Sequence, residues 1–193
     1  MNKMTRLELL SYLYENGITV DGWGKGKAKT VDHLLREINS GEARITKIGH
    51  QLIREAESVV VHTYVDFRGK IFKLIEDKQL FRDGRIKPRG IEHAPAEKMR
   101  PGETTFEALR RAFHEELGFD EDEASRLIFD FKSKTVKGPV PSESFPGLIT
   151  LYTLHEFETW LPLHLYNPQG YTEHQEDKTT YFVWQPCPNK VPV

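Results

Sequence analysis

The sequence of 193 residues predicts an α+β protein. Two observations support this fold class. The first is a helical segment with clear ends, Thr105–Leu117. The second is that the segments on both sides of it are rich in β-branched and aromatic residues, which are typical of strands. Residues 1–56 differ, since they contain two helical patterns. We therefore predict an N-terminal helical extension over residues 1–56, followed by an α+β domain over residues 57–193.

The composition indicates a folded protein without a strong overall charge. Apolar residues make up 38% of the chain and the net charge is −2, so neither disorder nor overall attraction to nucleic acid or anionic membranes is predicted. The single cysteine, Cys187, excludes an intramolecular disulfide framework and a Cys-based zinc site. No apolar run approaches the roughly 18 residues that a membrane span needs. We expect a soluble, cytoplasmic protein that does not bind membranes.

The first predicted helix covers residues 5–16. Thr5 and Glu8 have the spacing of a capping box, in which each side chain bonds the backbone of the other residue, and Gly17 ends the helix. The residues that we expect on its apolar face are Leu7, Leu10 and Leu13.

The second predicted helix covers residues 31–40, between Thr30 as the N-cap and Gly41 as the stop. The connector DGWGKGKAK lacks the spacing of a phosphate-binding P-loop, so we expect a flexible linker. A DNA-binding helix-turn-helix is the alternative, but the connector is long and VDHLLREINS has few base-reading side chains. We therefore do not predict nucleic-acid binding, and expect the extension to pack on the sheet or to mediate homodimer formation.

The remaining elements belong to the predicted α+β domain. A β-branched run over residues 59–65 and a returning strand over residues 71–75 flank the turn DFRGK. Residues 83–101 contain several Gly and Pro residues and are expected to be mostly loop. The other predicted elements are a short helix at 122–127, strands at 128–132, 148–157 and 179–184, and a proline-rich loop at 138–147.

The helix at residues 105–117 has the clearest ends in the chain. Thr104 is the N-cap, Glu107 completes a capping box, and Gly118 ends the helix. The helix lies in the segment EKMRPGETTFEALRRAFHEELGF, residues 97–119, which resembles the box of the Nudix family, G-x5-E-x7-R-E-U-x-E-E-x-G-U with U a bulky apolar residue. The residues on matching positions are Glu103, Arg111, Phe113, Glu115, Glu116, Gly118 and Phe119.

Two positions depart from the box. Glu97 stands where the pattern has its first glycine, and Ala112 stands where it has the glutamate that follows the arginine. On a helix, residues 112, 115 and 116 are near one another, and three carboxylates there would repel unless divalent cations neutralised them. Ala112 supplies no carboxylate, and neither do the preceding residues Ala108 and Leu109.

The resemblance implies a Nudix-like fold, with a mixed sheet sandwiched by helices, over about residues 57–185. It implies a protein that binds a nucleoside diphosphate linked to another moiety and hydrolyses the pyrophosphate bond with Mg²⁺ or Mn²⁺. In this family Glu115 and Glu116 would bind the metal, while Arg111 and Glu103 would hold the loop and helix together. Because of Ala112, a pseudoenzyme that senses a nucleotide or binds a partner is the alternative.

Two further carboxylates are candidates for the missing metal ligand. Glu97 occupies the loop before the helix, and Glu143 lies in the proline-rich loop. The basic residues Arg82, Arg85 and Arg89 are candidates for substrate binding, because guanidinium groups bind phosphates bidentately. A solvated basic loop is the alternative for these arginines.

The box segment also has a purely structural interpretation. Glu107, Arg111 and Glu115 are four residues apart and would form a salt-bridged ladder on any exposed helix. For Phe113 and Phe119 we predict core packing rather than ligand contacts.

Overall fold

The structure, a computed structural model, describes residues 3–89 and 94–191. Within these residues it contains four α-helices, one short 3-10 helix and nine strands. In chain order they are α1 (Arg6–Glu15), α2 (Val31–Ser40), β1 (Ala43–Ile48), β2 (Gln51–Phe67), β3 (Lys70–Phe81), β4 (Ile86–Pro88), β5 (Ala96–Lys98), α3 (Thr105–Leu117), α4 (Glu121–Ser125), β6 (Asp130–Pro141), β7 (Ile149–Trp160), the 3-10 helix (Leu163–Leu165), β8 (Tyr171–His174) and β9 (Lys178–Pro186). None of the helices in these two ranges has both the length and the apolar character that crossing a membrane requires.

The chain divides into two compact units. The first consists of the described residues of Met1–Ser58, Lys98–Glu103 and Lys134–Leu154. The second consists of the described residues of Val59–Glu97, Thr104–Ser133 and His155–Val193. The predicted boundary after residue 56 falls inside β2, and a division of the chain at that point remains a prediction.

The helices of the first unit begin where the sequence predicts. Thr5 caps α1 and Thr30 caps α2, each through a capping box, and Gly41 ends α2 in the left-handed conformation. The predicted apolar face of α1 is correct for Leu13, which is buried, and for Leu10, which packs against the core. It is wrong for Leu7, which is exposed, and it lacks Leu9, which is buried. Residues four apart, such as Leu9 and Leu13, lie nearly above one another on a helix. Two successive steps of three, from Leu13 back to Leu7, place the last residue outside the buried face.

The connector between α1 and α2 is anchored in the first unit. The indole N–H of Trp23 donates to the carbonyl oxygen of Pro146 at 3.0 Å, and its ring lies 5.2 Å from that of Phe145. Trp23 is buried, so the expected flexible linker is replaced by a packed segment. The core around it consists of Leu9, Leu13, Trp23, Val31, Leu34, Leu52, Phe145 and Leu148.

A β-hairpin that the sequence analysis did not predict follows α2. Strand β1 pairs antiparallel with the first residues of β2, from Ala43↔Ala56 to Ile48↔Gln51. The turn uses Gly49 at a φ of 60°, a conformation that glycine adopts at little cost. Residues 43–56, which belong to the predicted helical extension, thus form a hairpin in addition to the two predicted helices.

The hydrogen-bonded strands follow the order β6-β7-β2-β3-β9-β8, with β4 beside β3 and β5 beside β2. Strands β2 and β3 pair antiparallel, from Tyr64↔Lys73 to Phe67↔Lys70, across the predicted turn. Strand β3 also pairs antiparallel with β9, and β9 with β8, a strand that was not predicted. The predicted α+β class, with a large mixed sheet and few helices, is confirmed.

Helix α3 of the second unit has the predicted ends. The Thr104 side chain accepts from the Glu107 N–H, and the Thr104 backbone N–H donates to the Glu107 carboxylate. At the other end, Gly118 is left-handed at a φ of 74°. Phe113 and Phe119 are buried with ring centroids 5.6 Å apart, which confirms their predicted role in the core. Strand β6 is longer than predicted, since it continues to Pro141 and takes in part of the proline-rich segment.

Candidate functional site

The two adjacent acidic residues of the box lie in the last turn of α3 and have different surroundings. Glu116 is only 7% exposed, on the same buried face as Ala112, whereas the Glu115 side chain is 40% exposed. Consecutive helical residues point about 100° apart, so one side chain of this pair can be buried while its neighbour is partly exposed. The expected shared face of residues 112, 115 and 116 therefore holds for Ala112 and Glu116 only.

Glu116 is a buried carboxyl group in acidic surroundings. Its Oε2 atom is buried and has no hydrogen-bond partner among the described residues. Burial, followed by the charges of Glu97, Glu173 and Glu76, raises the pKa of Glu116 well above its usual value, while Lys178 lowers it. A positive charge beside this group would be strongly stabilised.

The raised pKa of Glu116 predicts a specific dependence of stability on pH. The folded chain holds this proton more tightly than the unfolded chain, so the contribution is fully present below pH 4.5 and is lost as the pH rises toward the folded pKa. In metal-free buffer, Glu116→Gln should therefore be more stable than wild type at neutral pH, by about 1–3 kcal/mol, and similar to it at pH 4.

Urea denaturation of both proteins between pH 4 and pH 8 measures this difference. Glu121→Gln is the matched control, because Glu121 is exposed on α4. A Glu116→Gln protein that loses stability with rising pH as wild type does would contradict the expectation.

Arg111 connects α3 with the neighbouring strand β5. Its Nη1 atom lies 3.0 Å from Oε1 of Glu97 and 3.4 Å from Oε2 of Glu115, and its side chain is mostly buried. The contact with Glu97 reaches beyond the helix, so Arg111 does more than form the ladder of a solvated helix. Glu97, at the position where the box has glycine, is the counter-ion of the box arginine.

Arg89, predicted to bind substrate, forms an ion pair inside the second unit. Its Nε atom donates to Oε2 of Glu76 at 3.0 Å, and the Gln79 amide donates to the other Glu76 oxygen at 2.6 Å. Glu76 is buried and is one of the carboxylates whose charge acts on Glu116. The signal for Glu76 in the sequence is an acidic residue directly after the apolar pair Leu74 and Ile75 of a strand. The sequence around Glu173, another such carboxylate, carries no comparable signal.

Arg82 and Arg85 lie in the turn between β3 and β4. The Nε atom of Arg85 donates to Oδ2 of Asp83 at 2.6 Å, and its guanidinium stacks 4.9 Å from the centroid of the Phe81 ring. Arg82 is exposed and borders a pocket of about 500 Å³, which we call the hairpin pocket. The hairpin pocket is lined by Leu80, Phe81, Arg82, Gly84, Gln175, Lys178 and Thr179.

Two of the predicted acidic residues belong to the first unit. The Glu103 carboxylate accepts a hydrogen bond from the backbone N–H of Arg100 at 2.8 Å. Glu143 is 77% exposed, and its carboxylate lies 3.3 Å from Nζ of Lys27. The structure thus brings Glu97, Arg111 and Glu115 together in the second unit, in which Glu116 also lies.

The donor chemistry around Glu116 suits Mg²⁺ or Mn²⁺, which prefer oxygen ligands. An unpartnered carboxylate oxygen faces an excess of negative charge there. Within residues 3–89 and 94–191, however, no group of three or more His, Cys, Asp or Glu side chains is placed to hold a metal ion. A complete site would need side-chain movement that brings Glu97 and Glu115 from Arg111 toward the ion.

A metal titration tests which carboxylate supplies the third ligand. If Glu97 does so, Glu97→Gln should weaken Mn²⁺ binding about tenfold relative to wild type, because a charged ligand is lost. Glu143→Gln should then bind Mn²⁺ as wild type does, and the reverse result would favour Glu143. Isothermal titration calorimetry measures all three affinities, and equal values would contradict a role for either residue.

Among known proteins, those with similarity to this chain are found by comparison of solved structures. No family model matches the chain, and no curated protein sequence matches it significantly. A C. elegans Ap4A hydrolase in a binary complex is 16% identical, over 68% of this chain and 79% of its own, with a TM-score of 0.35. The E. coli dihydroneopterin triphosphate pyrophosphohydrolase is 17% identical, over 68% and 80%, with a TM-score of 0.39. The NUDIX domain of Shewanella oneidensis NrtR, complexed with ADP ribose, is 6% identical, over 67% and 71%, with a TM-score of 0.37.

Proposed function

We propose that this Nudix-like protein binds a nucleoside diphosphate linked to another moiety in its second unit, beside Glu116. The observation that supports the proposal is the buried Glu116 carboxyl group, whose Oε2 atom has no hydrogen-bond partner among the described residues, amid the charges of Glu97, Glu173 and Glu76. Such a group stabilises a divalent cation, and a divalent cation binds diphosphate oxygens. The spacing of the box residues around this group is a second, independent support.

The proposed reaction is hydrolysis of the pyrophosphate bond. Glu116 would hold Mg²⁺ together with Glu97 and Glu115, and the bound ion would polarise the phosphoryl group and activate water. Arg111 positions the other two carboxylates, since one guanidinium nitrogen contacts both. Burial and the neighbouring carboxylates raise the pKa of Glu116 and so favour its protonated form, whereas a bound cation would favour the carboxylate.

Hydrolysis by this site is expected to be slow. Ala112 lies on the buried face of α3, one turn before Glu116, and offers no oxygen atom to a metal or to a water molecule. Loss of a ligand or of a general base commonly lowers the rate by about 100-fold or more. The proposed catalytic set of Glu115, Glu116 and Arg111 in the second unit therefore lacks one acidic group.

A second candidate function is that of a pseudoenzyme, which would bind the nucleotide as a sensor or bind a partner. The observation that favours it is the pairing of Arg111 with both Glu97 and Glu115. These carboxylates already have a counter-ion, so they do not depend on a metal for neutralisation. Ligand binding would then proceed without turnover.

One panel of ligands distinguishes these functions. Binding and cleavage are measured for ADP-ribose, diadenosine tetraphosphate, NADH and nucleoside triphosphates, with Mg²⁺ or Mn²⁺. Metal-dependent cleavage that is lost in Glu116→Gln would support the hydrolase, and binding without turnover would support the pseudoenzyme. Absence of binding for every compound would overturn both the hydrolase and the nucleotide sensor.

A further inference from the structure

The hairpin pocket lies between two turns of the second unit. The backbone N–H of Arg82, in the β3–β4 turn, donates to the carbonyl oxygen of Asp177, in the β8–β9 turn, at 3.0 Å. The turns are also joined by pairing of β3 with β9, which ends at Phe81↔Lys178. Backbone hydrogen bonds therefore fix the distance between the two walls of the pocket.

The lining of the hairpin pocket favours an anion. Its two charged lining residues, Arg82 and Lys178, are both cations, and Gln175 and Thr179 add an amide and a hydroxyl group. Of the acidic residues in the two turns, Asp83 is paired with Arg85 at 2.6 Å. The other two are Glu176 and Asp177, and neither lines the pocket. Arginine and lysine converging with neutral donors are suited to a phosphate group.

The hairpin pocket adjoins the acidic surroundings of Glu116. Lys178 lines the pocket, and its charge also acts on the Glu116 carboxyl group. The Gln175 amide, another lining group, donates to Oε1 of Glu173 at 2.5 Å, and Glu173 acts on Glu116 as well. One ligand can therefore contact both regions if it extends beyond its diphosphate.

We propose that the hairpin pocket binds a further phosphate group on the second moiety of the ligand, with Arg82 and Lys178 as its charged contacts. This inference rests on the proposed function, because it concerns the far end of the same ligand. It favours ligands with three or more phosphates, or with a phosphorylated second moiety, over a diphosphate linked to an uncharged sugar. A pocket of about 500 Å³ is within the size range of small-molecule sites.

The test compares two ligands in four proteins. Affinities for diadenosine tetraphosphate and ADP-ribose are measured by calorimetry in wild type, Arg82→Gln, Lys178→Gln and the control Arg126→Gln. Arg126, the C-cap residue of α4, is exposed and pairs with the exposed Asp122. We expect each pocket variant to bind the tetraphosphate about tenfold more weakly. Arg82→Gln should change the ADP-ribose affinity less than about twofold. Lys178→Gln should weaken ADP-ribose binding less than tetraphosphate binding, because its charge also acts on Glu116.

Other results would overturn the inference in distinguishable ways. An equal loss for both ligands would assign Arg82 and Lys178 to the shared diphosphate, and no loss for either would remove them from the site; both leave the proposed function intact. If wild type binds none of the nucleotides of the panel, the proposed function fails, and inorganic tripolyphosphate then tests the pocket directly. Binding of tripolyphosphate that Lys178→Gln weakens would support an anion site, and absence of binding would exclude one.

Discussion

Replacing Ala112 by glutamate is expected to make the proposed pyrophosphate hydrolysis strongly dependent on Mg²⁺ and at least about tenfold faster than in wild type. Ala112 is 2% exposed and lies one helical turn before Glu116, so the new carboxylate would lie beside the existing one. Two acidic groups with this spacing bind a divalent cation more tightly than one does. The measurement is cleavage of the best ligand of the panel at increasing Mg²⁺ concentration.

The same substitution should destabilise the metal-free protein. A second buried carboxyl group without a partner lowers the free energy of unfolding by about 3 kcal/mol. Saturating Mg²⁺ should restore about 2.7 kcal/mol at a concentration 100 times its dissociation constant. Thermal denaturation with Mg²⁺ or with a chelator measures both effects.

Ala112→Gln provides the matched control for Ala112→Glu. It adds a side chain of the same size without a charge, so it should destabilise the fold but gain neither Mg²⁺ stabilisation nor activity. If Ala112→Glu behaves as Ala112→Gln does in both measurements, the missing carboxylate at residue 112 does not limit Mg²⁺ binding or cleavage.

The largest stability effect is expected for Glu37→Gln in the first unit. Glu37 is 4% exposed, and one of its oxygens accepts from Nη2 of Arg54 at 2.5 Å. Its other oxygen lies 2.9 Å from Nζ of Lys29 and 2.9 Å from Nζ of Lys98. Without the negative charge, the buried Arg54 guanidinium loses its counter-ion, which should lower the free energy of unfolding by about 3–5 kcal/mol.

The effect of Glu37 on stability should also depend on pH. Burial by itself would raise the pKa of Glu37, but the charges of Lys98, Lys29 and Arg54 outweigh it and lower the pKa from 4.5 to about 2. The stabilisation is therefore present above pH 4.5 and is lost as the pH falls toward 2. Wild type should lose more stability than Glu37→Gln across this interval.

Denaturant titrations at pH 7, 4.5 and 2.5 measure both expectations for Glu37. Glu55→Gln is the control, since Glu55 pairs with the exposed Arg44 at 2.6 Å and an exposed pair contributes less than about 1 kcal/mol. Equal effects of the two substitutions at pH 7 would show that the buried network adds nothing beyond a surface pair.

The features that the sequence predicts correctly are those decided by residues close together in the chain. Thr5, Thr30 and Thr104 each cap a helix by bonding the backbone three residues later, so the beginning of each helix is encoded within one turn. The turn between β2 and β3 is likewise local, and it takes Gly69 at a φ of 72°. The matching positions of the box are read from one continuous segment.

The features that the sequence does not predict depend on partners far along the chain. The face that α1 buries, the packing of Trp23 against Phe145 and the pairing of Arg89 with Glu76 all join separate segments. A sequence pattern identifies which side chains carry charge or apolar surface, but it does not identify the group that each will meet.

By itself the sequence determined the α+β class, the capped helices and the acidic residues of the box, because short-range hydrogen bonding and side-chain periodicity fix these features. Only the tertiary structure decided that Glu116 is buried among like charges while Glu115 is half exposed and paired with Arg111. The physical reason is that burial and charge pairing depend on which strands close around a helix, and strand pairing joins residues that are remote in sequence.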